Sequence, residues 1–70
     1  MSSVLDMGLF KVGNSDVYIE KNKYNWNYVL TQPNKITKGK ITKLKLNIFE
    51  ILDSIIKQYK LMGKVELIND

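Results

Sequence analysis

Cysteine, histidine and arginine are all missing from this 70-residue chain, and proline occurs once. Without cysteine there is no disulfide and no thiolate metal site. Without histidine the usual zinc ligand sets are gone as well. The same two absences remove nucleophile–base pairs of the Ser-His and Cys-His kinds. No apolar run approaches the ~20 residues that cross a bilayer. The opening MSSVLDMGLF carries an acid, Asp6, and no basic stretch, which argues against a signal peptide. The expectation is an intracellular, cytoplasmic protein that does not engage a membrane.

All eleven basic residues are lysine. Lysine, isoleucine and asparagine, all frequent here, share A/T-rich codons, so a low-GC genome is the plain explanation. The physical consequence stands regardless. Lysine is a mobile point charge, whereas arginine is the tool for bidentate contacts to guanine or carboxylate. A nucleic-acid contact made by this chain would lean on phosphate, with little sequence readout.

Seventy residues make one domain, 1–70, with a small core, because a chain this size buries only about 60% of its unfolded surface. With 44% hydrophobic and 26% charged residues, the composition is that of a globular domain. The first half alternates with the period of a strand. Phe10 and Val12 flank Lys11, Gly13-Asn14-Ser15-Asp16 supplies a turn, and Val17 and Ile19 alternate with Tyr18 and Glu20. Asn22-Lys23 offers a second turn. The third strand, about Tyr24 to Thr31, places Tyr24, Trp26, Tyr28 and Leu30 on one face, with Asn25, Asn27, Val29 and Thr31 on the other. Pro33 ends it.

The following Lys35-Ile36-Thr37-Lys38 and Lys40-Ile41-Thr42-Lys43 form a near-repeat about Gly39. Repulsion among the lysines and the central glycine predict a mobile segment, either a short hairpin or a strand reaching Leu46. A helix is predicted from Asn47 to Met62, about 24 Å long. Asn47 caps it with Glu50 three residues on, and Ile48, Ile51, Leu52, Ile55, Tyr59 and Met62 form its apolar face. Gly63 is the expected C′ residue. Phe49 and Ile56 fall beside the main stripe and are candidate oligomer contacts. Lys64 to Ile68 makes a last strand. The predicted fold is α+β, a two-layer arrangement of a three- to four-stranded antiparallel sheet on one helix, ordered β-β-β-(β)-α-β.

No phosphate-binding glycine loop is present, and the acids do not cluster into a hard-metal pattern. The chain is expected to be no enzyme and to carry neither cofactor nor metal nor a small-molecule substrate. Its one strong asymmetry is electrostatic. Residues 21–45 hold seven lysines and no acid, whereas the remainder has a net charge of −3. Such a field attracts nucleic acid or an acidic protein face, although lysines also serve solubility and protect sheet edges. Candidate contacts are Lys21, Lys23, Lys35, Lys38, Lys40, Lys43 and Lys45. Tyr18, opposite in face to Val17 and Ile19, is the aromatic expected to be exposed. Trp26 and Leu30 are assigned to the core, under the helix.

At YIEKNKYNWNYVL, with a Lys-Gly-Lys turn and an apolar helix after it, the chain resembles small phage-encoded proteins in which an aromatic hairpin precedes a basic turn and a short helix. The resemblance covers about residues 17–60 and transfers no site residue. LKLNIFEIL stands where that group has an aromatic pair and Thr-Leu cap. It implies a phage or mobile-element setting and a protein that binds and blocks host nucleic-acid-handling or defence machinery. The element order is also similar to the three-stranded, helix-backed DNA-binding domains of integrases, which makes a DNA-binding domain a further alternative. Against all of these stands a protein–protein module or homodimer that uses Phe49, Ile56 or a free strand edge.

Overall fold

The computed structural model describes residues 6–68. Residues 1–5 and 69–70 lie outside the described part, and with them half of the N-terminal stretch considered for a signal peptide. The elements run β1 (Met7–Val12), β2 (Ser15–Lys21), β3 (Trp26–Gln32), β4 (Lys35–Ile41), α1 (Ile48–Tyr59) and β5 (Val65–Leu67). They form one antiparallel five-stranded sheet, in the order β4-β3-β2-β1-β5, with the helix on one face. The α+β two-layer arrangement is as expected. The sheet is one strand wider, because the basic segment and the C-terminal strand both join it, at opposite edges.

Alternation decides which face each side chain takes. Phe10, Val12, Val17, Ile19, Trp26, Tyr28 and Leu30 are buried on the helix side, against Ile48, Ile51, Leu52 and Ile55. Trp26 and Leu30 therefore belong to the core, as expected. Lys21, opposite Trp26 in the β2–β3 register, lays its ammonium 5.4 Å from the indole centroid. A cation over an aromatic face is attracted by the ring quadrupole.

The turns follow local chemistry. Gly13 and Asn14 alone join β1 to β2, with Gly13 at φ 62°, so Ser15 and Asp16 already belong to the strand. Between β2 and β3, Asn22 Oδ1 accepts from the amides of Tyr24 (2.8 Å) and Asn25 (2.9 Å), while Asn22 N donates to Asn25 O. This turn takes up Tyr24. The third strand starts at Trp26, and Tyr24 is 77% exposed rather than part of the aromatic face.

The helix begins as predicted and ends early. Asn47 Oδ1 accepts from Glu50 N and Glu50 Oε1 accepts from Asn47 N, both at 2.9 Å, which completes a capping box. The last helical residue is Tyr59, and Lys60 takes the left-handed cap at φ 55°. Lys60 and Leu61 both donate their amides to Ile56 O. Met62 consequently leaves the apolar face and stands 86% exposed. Gly63, at φ 121°, is not the helix terminator but part of the following turn. It packs backbone to backbone on Gly13, where a Cβ would stand 2.9 Å from Gly13 N. Gly13 N in turn donates to Lys64 O at 3.1 Å.

Candidate functional site: a lysine-bearing sheet edge

The face of the sheet turned away from the helix is not covered by any other element among the described residues. Register places Lys38, Val29, Tyr18 and Leu9 in one row across it, extended by Ile68, whose amide donates to Leu9 O at 2.8 Å. A second row runs Ile36, Thr31, Asp16, Lys11 and Glu66, and a third Lys40, Asn27, Glu20 and Met7. Tyr18 thus sits mid-sheet between Leu9 and Val29 and is half-buried. The most exposed aromatic among the described residues is Tyr24 instead.

The charges on this face are segregated. Lys11 meets Asp16 at 3.9 Å, and Lys64 meets Glu66 at 3.9 Å. Lys57 and Asp53 pair at 3.1 Å along the helix. Among the described residues, none of the seven lysines between residues 21 and 45 has an acidic partner. Lys38 and Lys40 project from the open face of β4, the edge strand, on either side of Gly39.

The basic segment forms a strand, one of the two alternatives expected, but it ends at Ile41 rather than Leu46. A hydrophobic and aromatic neighbour strand supplies what the segment lacks. Ile41 opposes Trp26, Thr37 opposes Leu30, and Gly39 opposes Tyr28. The Tyr28 ring lies over Gly39, and its hydroxyl reaches the Tyr59 hydroxyl at 2.7 Å, with the rings 6.1 Å apart and edge-on. Burial, then the hydrogen bond to Tyr59, pushes the Tyr28 phenol up to about 12. The contact pins β4 from the helix side. The lysine alternation was itself a strand signal in the sequence, masked by charge and glycine.

The lysines do not converge on one point. Lys21 ends β2 and Lys23 lies in the β2–β3 turn, at the end of the sheet where Lys40 and the Thr42–Leu46 loop, with Lys43 and Lys45, also lie. Lys35 sits at the far end of β4, beside the β3–β4 turn. Lys21 is half-buried on Trp26 and is the least available of the set. The open face of β3 and β4 holds a shallow depression of about 320 Å³ along Asn27, Val29, Lys38 and Lys40.

The candidate oligomer contacts divide as well. Ile56 is half-buried and widens the apolar face packed against the core. Phe49 is 55% exposed and edge-on to Phe10, with ring centroids 6.0 Å apart. Leu67 and Val65, opposite Phe10 and Val12, extend that apolar surface along β5.

Among the described residues no group of three acids could hold a metal ion, and no helix is long and apolar enough to cross a membrane. No family model, no curated protein and no solved structure matches the chain.

Proposed function

We propose that this protein is a non-enzymatic binding protein that holds an anionic macromolecular partner against β4 and the adjoining loop to α1. One observation carries this reading. An edge strand pinned from the helix side presents Lys38 and Lys40 from its open face, with Lys43 and Lys45 just beyond it, and no described acid pairs with any of them. Unpaired cations on one rim focus potential outward and steer an anionic partner. If the resemblance to small phage proteins extends to setting, the partner belongs to host nucleic-acid-handling or defence machinery, and binding would block it.

The test uses a Lys38→Glu/Lys40→Glu/Lys43→Glu variant, with polyglutamate and single-stranded DNA as anionic probes. Binding to at least one probe should weaken as salt rises and vanish in the variant, while circular dichroism shows the fold intact. Binding that survives the charge reversal rejects the proposal.

A second reading rests on Phe49, Val65 and Leu67, which expose apolar surface on the opposite edge. It makes the protein a homodimer through that edge. Light scattering on the eluting peak should then give twice the chain mass, reverting to one chain for Phe49→Glu. A monomer at all concentrations excludes it.

A further inference from the structure

We infer that the outer edge of β4 receives an extended acidic segment of another protein, which adds to the sheet as a sixth strand. The inference rests on the anion-binding reading above and specifies the class of partner. β4 ends the strand order, so the outward backbone groups of its seven residues have no strand partner among the described residues. A strand edge of that kind is a template for another chain.

Charge selects the occupant. Lys38 and Lys40 project from one face at a two-residue spacing, which is also the side-chain period of an incoming strand. A strand about 4.8 Å away with acids at alternate positions would set each carboxylate beside a lysine. A second copy of this chain is disfavoured at the same edge, because β4 against β4 brings lysines against lysines.

Nucleic acid fits less well than a polypeptide. Phosphates accept hydrogen bonds but donate none, so a nucleic-acid backbone would leave the outward carbonyls of β4 to water. Among the described residues Tyr18 is the only aromatic on the open face, and it lies two strands in from the lysines, so successive bases find no stacking platform. Glu20 on β2, about 10 Å from β4, limits the positive potential to the rim. A rim one strand wide suits an extended peptide.

The experiment uses the full chain, isotope-labelled. The probes are a capped peptide of about eight residues alternating Glu and Thr, the same peptide N-methylated at alternate residues, and a single-stranded oligothymidine of similar charge. Strand addition slows hydrogen exchange at alternate β4 amides when peptide is present. It also predicts that N-methylation weakens peptide binding about tenfold or more, since backbone hydrogen bonds are lost with charge unchanged. Lys38→Glu/Lys40→Glu should abolish peptide binding.

Equal affinity for the N-methylated peptide, or binding of oligothymidine alone, overturns strand addition and leaves the anion-binding reading intact. Binding of neither probe overturns both. Protection of the same β4 amides in the free protein, with sedimentation showing a dimer, would mean that the edge is taken by a second copy and also overturns the inference.

Discussion

The phenol ring of Tyr28 occupies the space that a side chain at position 39 would fill. A Cβ built on Gly39 would meet Tyr28 Oη, Cζ and Cε2, the last at 2.8 Å. The glycine is what lets Tyr28 reach over β4 to Tyr59, so the only residue between Lys38 and Lys40 is there to admit a ring from the next strand.

Gly39→Ala should therefore destabilise the protein by about 1–3 kcal/mol, the usual cost of overpacking. Urea unfolding measures it. Combined with Tyr28→Ala, the alanine at position 39 should cost much less, since the clashing ring is gone. Additive losses in that double-mutant cycle would mean that the ring and the glycine do not interact.

The tyrosine pair has a pH signature. The Tyr28 phenol is raised to about 12 in the fold, against an ordinary value near 10 when unfolded. Its contribution to stability is full below about pH 10 and is lost as pH rises through about 12, because the unfolded chain gives up the proton first. The loss is on the order of 3 kcal/mol. Tyr28→Phe should lose less stability than the parent over that window. Site-labelled NMR of the phenol carbon should show Tyr59→Phe moving the Tyr28 titration only part of the way back, because burial, the larger cause, persists.

At the helix start, Asn47→Ala removes the oxygen that accepts from Glu50 N. A cost of about 1 kcal/mol is expected. Glu50→Gln retains a side-chain acceptor for Asn47 N and should cost less than Glu50→Ala. Thermal unfolding by circular dichroism ranks the three, and equal melting temperatures for all would exclude the capping box.

The contact between Gly13 and Gly63 predicts that alanine at either position is costly, because each has positive φ, Gly13 faces the Met62 carbonyl and Gly63 faces the Gly13 backbone. Losses of about 2 kcal/mol or more are expected. Asn14→Ala is the control, since Asn14 is exposed in the same turn. Equal, small effects at positions 13, 14 and 63 would contradict the packing described.

Several of these features are legible in the sequence itself. The two-residue alternation at Phe10, Val12, Val17 and Ile19, and again at Trp26, Tyr28 and Leu30, places the core by itself. Asn47 and Glu50 identify their helix end three residues apart. The lysine asymmetry marks the candidate site without showing its shape.

What can be read locally is what local geometry decides: side-chain period, turn chemistry and the capping box all act within a few residues. The rest depends on partners distant in sequence. Lys35–Ile41 is a strand because β3 supplies its hydrogen bonds and Tyr28 fills the gap at Gly39, which outweighs repulsion among its lysines. The helix stops at Tyr59, where Lys60 takes the left-handed cap and Leu61 turns back onto the core, which leaves Gly63 to meet Gly13. The sequence alone determined the inward face of the first three strands, Tyr24 excepted, and where the helix begins. Only the tertiary structure decided where the helix ends and that the basic segment forms a sheet edge, because both are set by what the chain can bury against residues far along it.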